Sequence, residues 1–220
     1  MFPEILFEDN HLIAVLKRSG QTVQPEPGKP ESLEEETKAY IKHTYQKPGA
    51  VYLGVIHRLD MPVSGIVLFA KTSKALTRMN ESFRDREISK RYRCIVEGKP
   101  PAASGRLVHY LKRDEKKNFT KAFESPVKDG LESSLRYEVL QSQGKKTLLQ
   151  IDLETGRKHQ IRVQLSAMGC PIVGDYKYGA SKPLADHSIQ LQAIELEFKH
   201  PVKDEMIQLS LKNSKYLLKL

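Results

Sequence analysis

One carboxylate in the sequence, Asp60, occupies a turn whose residue types suit nucleophilic or acid–base chemistry. The turn runs from His57 to Gly65 (HRLDMPVSG) between two apolar segments, residues 51–56 and 66–70. Pro62 fixes one backbone angle, and the closing glycine can adopt conformations that other residues avoid. A carboxylate held on a rigid turn at the end of buried strands is suited to act as a nucleophile or as a general acid or base.

Two other interpretations of this turn stay open on the residues alone. An aspartate in a turn commonly caps backbone N–H groups, which would give Asp60 a purely structural role. The run His-Arg-Leu-Asp is also similar to part of a protein-kinase catalytic loop, but the sequence has neither a glycine-rich phosphate loop nor a Gly-Lys-Ser/Thr phosphate cradle. Phosphoryl transfer therefore has little support.

A second concentration of polar residues begins at Leu153 (LETGRKHQIR) and continues at Gly169 (GCPIVGDYKYG). It predicts a strand that ends in a glycine turn crowded with cations and is followed by a helix. Arg162 lies on that helix among apolar residues, and because an unpaired buried charge is costly, it should have a carboxylate partner. Asp60 is a candidate partner, and such a pair would keep its carboxylate ionised. A surface arginine or a purely structural ion pair is the alternative.

The net charge of +9 is concentrated in one part of the chain. Residues 71–128 hold 16 Lys and Arg against 7 Asp and Glu, whereas the remaining residues hold 20 of each kind. Such a concentration forms a positive surface that attracts phosphates, although a solvated lysine-rich surface would have the same composition. Lys74 and Arg78, four residues apart on one exposed face of a predicted helix, are candidates for nucleic-acid binding.

Hydrophobic periodicity predicts one α+β domain over residues 1–220. Three helices are expected: one after a Ser32–Glu35 capping box, one from Thr72 or Ser73 to about Arg86, and one over residues 160–168. Residues 99–130, rich in Pro, Gly, Lys and Ser, are expected to form long loops and a hairpin. The predicted strands cover residues 5–7, 12–16, 51–56, 66–71, 90–98, 147–153, 189–198 and 206–211.

The composition also bears on the cellular setting. No apolar run approaches the roughly 18 residues of a membrane-spanning helix, and the N-terminus lacks the basic and apolar regions of a secretory signal. Cys94 and Cys170 are too few for a disulfide framework or a zinc site. The sequence therefore predicts a cytoplasmic protein without membrane association and without a metal.

Several motifs, in the same order along the chain, resemble those of the RluA-type pseudouridine synthase family. The Asp60 turn matches H-R-L-D-x-x-T-S-G except at Val63, and residues 153–162 match L-x-T-G-R-x-H-Q-I-R. Further matches are G-x-P-I-x-G-D-x-x-Y-G at residues 169–179, Lys90-x-Tyr92 before an apolar strand, and Leu191-Gln192-Ala193 followed by Phe198-Lys199-His200-Pro201.

The resemblance implies a role for each candidate site residue. Asp60 matches the catalytic aspartate that attacks the target nucleoside when uridine is converted to pseudouridine. Tyr92 matches the tyrosine that stacks on the target base and assists proton removal at C5. Arg162 matches the arginine paired with the aspartate, and Arg58 matches an arginine that helps to fill the gap left by the flipped nucleotide.

The resemblance also implies a fold and a partner. The fold would be the pseudouridine synthase catalytic fold, a single α+β domain built on a mixed, mainly antiparallel sheet flanked by helices. The partner would be structured RNA, ribosomal or transfer, and the charge concentration makes Lys74 and Arg78 candidates for contact with its phosphates. No cofactor and no metal are implied, and a monomer is expected. The family's S4-type RNA-binding domain is not apparent, because strand-like sequence starts at Ile5.

The sequence departs from the family pattern at several positions outside Asp60, Tyr92 and Arg162. Residues 16–20 (LKRSG) stand where the family has Asn-Lys-Pro-x-Gly, and glutamine replaces a common histidine at Gln24, Gln164 and Gln192.

Two competing functions remain on the sequence alone. An N-glycoside hydrolase could use Asp60 together with another acid, and would release a base, whereas isomerisation preserves the mass of the RNA. A catalytically idle RNA-binding protein is the other possibility. The retained Asp60, Tyr92 and Arg162 argue against it, because binding to a polyanion requires no buried carboxylate.

Overall fold

The computed structural model describes residues 2–220, which divide into two compact units. The first unit contains the residues up to 88 together with 195–211, and the second contains 89–194 together with 212–220. Each unit combines antiparallel strand pairs with at least one helix, which confirms the predicted α+β class. Strand β10 (Leu191–Lys199) contributes residues to both units.

The first unit is built on an antiparallel strand ladder with two helices. Strand β2 pairs with both β1 and β4, and short β3 also pairs with β4, in each case antiparallel. The end of β10 pairs antiparallel with β11. Its elements are β1 (Glu4–Glu8), β2 (Leu12–Lys17), α1 (Leu33–Thr44), β3 (Gly54–Val55), β4 (Ser64–Ala70), α2 (Ser73–Arg84) and β11 (Met206–Ser210).

The helices of this unit begin where the sequence predicts. Ser32 accepts a hydrogen bond from the backbone N–H of Glu35, and the Glu35 carboxylate accepts one from the Ser32 backbone N–H, so the predicted capping box is present. Thr72 caps α2 through its side chain. The apolar residues of β2 and β4 are almost all completely buried, which makes this strand pair the centre of the unit's core.

The second unit is an antiparallel sheet of five strands. The strand order is β5-β9-β8-β6-β7, and all four pairings are antiparallel. Along the chain, β9 is followed by the helix α3 and then by a single turn of 3₁₀-helix (Tyr176–Tyr178). The elements are β5 (Ser89–Glu97), β6 (Ser104–Asp114), β7 (Phe119–Phe123), β8 (Leu131–Gln143), β9 (Lys146–Leu153) and α3 (Gln160–Ala167).

The prediction of long loops between residues 99 and 130 is wrong in part. The hairpin is present, but β6 alone has 11 residues, and β8, with 13, was not predicted at all. Both strands are half exposed and carry charged residues among the apolar ones, so their alternation is weak. Strand β8 also shifts its register relative to β9. Val139 pairs with Leu149, but Gln141 pairs with Leu148, and this irregularity interrupts the period of two.

Segment 51–56 forms less strand than its apolar sequence predicts. Only Gly54–Val55 pairs with β4, and the rest of the segment is irregular. A side chain at Gly54 would meet the Leu76 side chain at 2.8 Å, so α2 packs closely against this position. The segment before the Asp60 turn is therefore packed against α2 and does not form a long strand.

Both cysteines lie in the second unit and carry free thiols. Cys94 is completely buried and Cys170 is 3% exposed. Burial raises the pKa of each thiol above its ordinary value. None of the helices formed by residues 2–220 is long and apolar enough to cross a membrane.

Candidate active site

Asp60 lies in a tight turn immediately before β4. Its carbonyl accepts a hydrogen bond from Val63 N at 3.0 Å, which closes the turn. Leu59 and Val63 are buried, whereas Asp60 is half-buried and Met61 is exposed. The two buried residues anchor the turn on both sides of Asp60, so its carboxylate is carried on a rigid backbone.

The turn is also clamped from the segment that follows β2. Gly20 N donates to the Met61 carbonyl at 2.8 Å, and the Ser19 hydroxyl donates to the Pro62 carbonyl at 2.7 Å. These bonds satisfy the carbonyl groups of Met61 and Pro62 from outside the turn. Residues 19–20 thus fix the backbone around Asp60.

Lys17, at the end of β2, is completely buried behind the turn. Its ammonium group donates to the carbonyls of Arg18, Met61 and Val63 at 2.8, 3.1 and 2.6 Å. Burial lowers the pKa of Lys17 from 10.5 to about 7, while the nearby Asp60 carboxylate raises it. Lys17 was not among the predicted site residues, although it stands in the N-terminal motif, residues 16–20, that departs from the family pattern.

The two residues that begin the motif have different surroundings. His57 accepts a hydrogen bond from Leu68 N through Nε2 at 3.0 Å, and its ring stacks on Phe83 with centroids 5.1 Å apart. Arg58 is exposed, and its guanidinium donates to the Gln24 side chain at 3.3 Å. His57 therefore supports the strand, while Arg58 extends beside Asp60 at the surface.

In the second unit, Tyr92 lies on β5 directly opposite Ile151 of β9. Its side chain is half-buried. The preceding residue, Arg91, forms an ion pair with Asp152 at 2.7 Å, which ties the two strands together at this point. The predicted strand position of Tyr92 is confirmed, and its contact with a base stays a prediction.

Arg162 is a buried residue of α3 and has a carboxylate partner in its own unit. Its Nε and Nη2 donate to the two carboxylate oxygens of Asp175 at 2.7 and 2.8 Å, and Asp175 is 1% exposed. This paired geometry fixes the plane of the guanidinium group. The sequence analysis expected a carboxylate partner but did not identify Asp175, whose place in the G-D-x-x-Y-G run was the available signal. The pair uses two of the five N–H donors of Arg162, and the predicted pairing with Asp60 stays a prediction.

A tyrosine packs against this ion pair. The Tyr178 ring centroid lies 4.9 Å from the Arg162 guanidinium carbon, in a cation–π arrangement. The Phe119 ring stacks on Tyr178, with the two ring centroids 4.8 Å apart. The Tyr178 hydroxyl accepts a hydrogen bond from Thr120 N at 3.0 Å and pairs with His159 Nδ1 at 2.7 Å. Burial raises the pKa of Tyr178, so the hydroxyl stays protonated at neutral pH. Tyr178 therefore holds the guanidinium from the face, as Asp175 holds it from the edge.

Lys74 and Arg78 lie on α2 and are exposed, as the helical spacing predicts. The Arg78 guanidinium donates to the Pro201 carbonyl at 2.6 Å. Of the predicted site residues, Asp60, Arg58, Lys74 and Arg78 belong to the first unit, and Tyr92 and Arg162 belong to the second. Their assembly into one site stays a prediction.

Comparison with known proteins decides the family. The sequence profile described as RNA pseudouridylate synthase matches residues 11–167, which include both the Asp60 turn and Arg162. The chain belongs to this family. The RluA-type resemblance is thus confirmed, and so is the predicted enzyme class, an isomerase of the RNA pseudouridine synthase type.

Curated relatives show the same similarity over most of the chain. The chain is 32% identical over 217 residues to the ribosomal large subunit pseudouridine synthase D of Zymomonas mobilis, covering 93% of this chain and 67% of that protein. It is 33% identical over 208 residues to the uncharacterized RNA pseudouridine synthase YhcT of Bacillus subtilis, covering 93% and 66%. The chain thus spans about two thirds of the length of these relatives.

Two solved human structures share the fold. Human RNA pseudouridylate synthase domain containing 4 superimposes with a TM-score of 0.77 at 23% identity, over 95% of this chain and 88% of that one. Human RNA pseudouridylate synthase domain containing 1 gives 0.75 at 21% identity, over 94% and 82%. They confirm the predicted pseudouridine synthase fold.

Proposed function

We propose that this chain isomerises specific uridines of structured RNA, ribosomal or transfer, with Asp60 as the catalytic residue. The observation that carries the proposal is the Asp60 turn, which is clamped by residues 19–20 and backed by a buried lysine. A solvated structural aspartate needs no such support. The ribosomal substrate of the Zymomonas mobilis relative, stated in its name, favours ribosomal RNA.

The reaction sets clear requirements for the site. The bond between C1′ and N1 of the uridine must break, the base must rotate, and a bond between C1′ and C5 must form. The proton on C5 leaves and N1 gains one, so the RNA neither gains nor loses atoms. Attack of Asp60 on C1′, its attack on C6, and elimination through a glycal all begin with an ionised carboxylate aimed at the extruded nucleoside.

The other site residues serve the extruded nucleotide in this proposal. Flipping costs a few kcal/mol of lost stacking, which contacts in the pocket must offset. Tyr92 stacks on the target base and assists removal of the C5 proton, and Arg58 helps to fill the gap that the nucleotide leaves. Arg162, held rigidly by Asp175 and Tyr178, pairs with Asp60 and orients its carboxylate.

Substitution of the catalytic carboxylate tests the proposal directly. Asp60→Asn should abolish pseudouridine formation and leave RNA affinity within about tenfold, because the RNA-binding surface is unchanged. Asp129→Asn is the matched control: Asp129 is an exposed turn residue with a positive φ of 62° that asparagine also tolerates. Pseudouridine in a large-subunit ribosomal RNA transcript is counted after each enzyme has acted.

Three outcomes separate the candidate functions. Pseudouridine at unchanged RNA mass, lost only in Asp60→Asn, supports the proposal. Loss of a base from the RNA would identify an N-glycoside hydrolase, and RNA binding with no change in the RNA would identify an idle binding protein. Retained turnover in Asp60→Asn would contradict the assignment of Asp60.

We further propose that the chain acts as a monomer in the cytoplasm. Gel filtration tests the oligomeric state, and cell fractionation tests the location.

A further inference from the structure

Cations from three separate parts of the sequence meet beside the β6–β7 hairpin of the second unit. Lys177 donates to the carbonyl of Asn118, in the hairpin turn, at 2.7 Å. The Thr120 hydroxyl donates to the carbonyl of Lys158 at 3.0 Å, which places the 157–158 loop against β7. We call this group of cations the hairpin patch. Its members, all of them exposed, are Arg113, Lys116, Lys117, Arg157, Lys158 and Lys177.

The positive charge of the hairpin patch is only weakly neutralised. Its one ion pair joins Arg113 to Glu115 at 3.5 Å. For the other five cations, no carboxylate within residues 2–220 lies at ion-pair distance. The contrast is Glu154, which bridges Arg106 and Arg136 at 2.7 and 2.9 Å on the same sheet. Cations left without carboxylates cost repulsion unless a polyanion covers them.

An exposed aromatic ring stands within this group. Tyr176, next to Lys177, is 68% exposed, the largest fraction of any large apolar side chain in the described part of the protein. An exposed aromatic ring surrounded by cations is the arrangement that proteins use to bind single-stranded RNA, since bases stack on the ring while phosphates lie on the cations. An acidic protein surface would use the cations but not the ring.

The hairpin patch is connected to the proposed active site by direct contacts. Phe119, which follows Asn118 in the hairpin, stacks on Tyr178, and Tyr178 lies against the Arg162 guanidinium. Tyr178 is also two residues from Tyr176 in the same 3₁₀ turn. Phe119 and Tyr178 thus form an unbroken series of contacts from the hairpin to the Arg162 guanidinium.

We infer that the hairpin patch and Tyr176 bind the single-stranded RNA segment next to the target uridine. The cations hold its phosphates, and the Tyr176 ring stacks on one unpaired base. The inference rests on the proposed function for the position of the target nucleotide. It adds a binding surface in the second unit, separate from Lys74 and Arg78 in the first.

The cations are tested by charge removal at three lysines. The triple variant Lys116→Gln, Lys117→Gln and Lys177→Gln is made in the full chain carrying Asp60→Asn, so that the RNA is bound but not converted. Its affinity for a large-subunit ribosomal RNA transcript is measured against salt concentration. The slope of log affinity against log salt should fall by about 2 to 3, since each lost phosphate contact removes about 0.7 to 0.9.

A matched triple variant controls for net charge. Lys29, Lys47 and Lys145 are also exposed, and Lys145 lies at the opposite end of β9 from the hairpin patch within the second unit. Their replacement by glutamine should change the salt slope much less. Thermal unfolding of all variants checks that they fold alike.

The stacking role is tested separately at Tyr176. Tyr176→Ala should weaken binding of the transcript by about 5- to 100-fold, whereas Tyr176→Phe, which keeps the ring, should retain the affinity of its parent. Equal affinities of Tyr176→Ala and Tyr176→Phe would overturn the inference, and so would a patch variant whose salt slope matches that of the control. If the native chain forms no pseudouridine while these binding differences persist, the proposed function is wrong, but the inferred RNA-binding role of the hairpin patch and Tyr176 still holds.

Discussion

At the scale of single residues, the proposed chemistry depends on how tightly the protein holds its functional groups. Lys17 fixes the backbone on the far side of Asp60, and Asp175 fixes Arg162 by two parallel hydrogen bonds. Neither supporting residue needs to touch RNA. Preorganisation of this kind removes the cost of ordering the groups during the reaction.

The buried lysine predicts how stability depends on pH. In the unfolded chain Lys17 keeps its ordinary pKa of 10.5, and in the folded chain its pKa is about 7. Between these values the unfolded state binds more protons, so the free energy of unfolding should increase as pH rises from 7, by up to about 1.4 kcal/mol per pH unit. Below pH 7 Lys17 is protonated in both states and contributes no slope.

Denaturant unfolding between pH 7 and 9 measures this dependence. Lys17→Met should remove the increase, because methionine cannot titrate, and Lys99→Met, at an exposed lysine, should leave it in place. Parallel pH curves for native chain and Lys17→Met would show that the lysine stays protonated throughout, held by its three carbonyl acceptors.

The hydroxyl of Tyr92 is predicted to matter more for turnover than for binding. Tyr92→Phe keeps the ring that stacks on the base, so the variant should bind RNA and react slowly or not at all. Tyr110→Phe, at another half-buried strand tyrosine of the second unit, is the control. Single-turnover kinetics on ribosomal RNA distinguish the two, and full activity of Tyr92→Phe would remove the proton-transfer role.

At the scale of secondary-structure elements, α2 offers its exposed face for phosphate contacts. Reversal of charge at Lys74 and Arg78 to glutamate should weaken RNA binding and flatten its salt dependence, because both side chains are exposed on that face. A matched reversal at the exposed Lys42 and Lys47 controls for net charge. An unchanged salt slope would place the RNA-binding surface of the first unit elsewhere.

Elements with strong local signals were predictable from sequence. The capping box of α1 and the Thr72 cap of α2 depend on a few neighbouring residues, and the apolar runs of β2 and β4 leave no doubt about burial. Strands β6 and β8 gave no such signal, since their stability comes from pairing with each other over eight residue pairs. Such pairing is set by tertiary context and is invisible to a local pattern.

The candidate site was predictable to a similar degree. Motif order selected Asp60, Tyr92 and Arg162 as candidates, because each stands in a run with fixed spacing, and their roles stay predictions. The supporting residues were not found, since the interactions of Lys17 with Val63 and of Arg162 with Asp175 depend on how the chain folds back. Tyr176 stands at an unspecified position of the motif at residues 169–179, and only its exposed fraction reveals it.

At the scale of the whole molecule, the positive charge is concentrated in one part of the chain. The surplus of nine positive charges falls within residues 71–128, which supply α2, β5 and the β6–β7 hairpin. Some cations of the second unit's sheet are neutralised locally, as by Glu154, whose pKa falls to about 2 because Arg106 and Arg136 donate to it. The hairpin patch, in which the one ion pair among residues 2–220 joins Arg113 to Glu115, is the group of cations that the proposed RNA would cover.

The location of Cys94 and Cys170 has a practical meaning for such an enzyme. Both sulfurs are enclosed in the second unit and resist ionisation, so neither presents the thiolate that peroxides and alkylating agents attack. In the proposed mechanism the reacting group is a carboxylate and no thiol takes part, so treatment with peroxide or an alkylating agent should leave the activity unchanged.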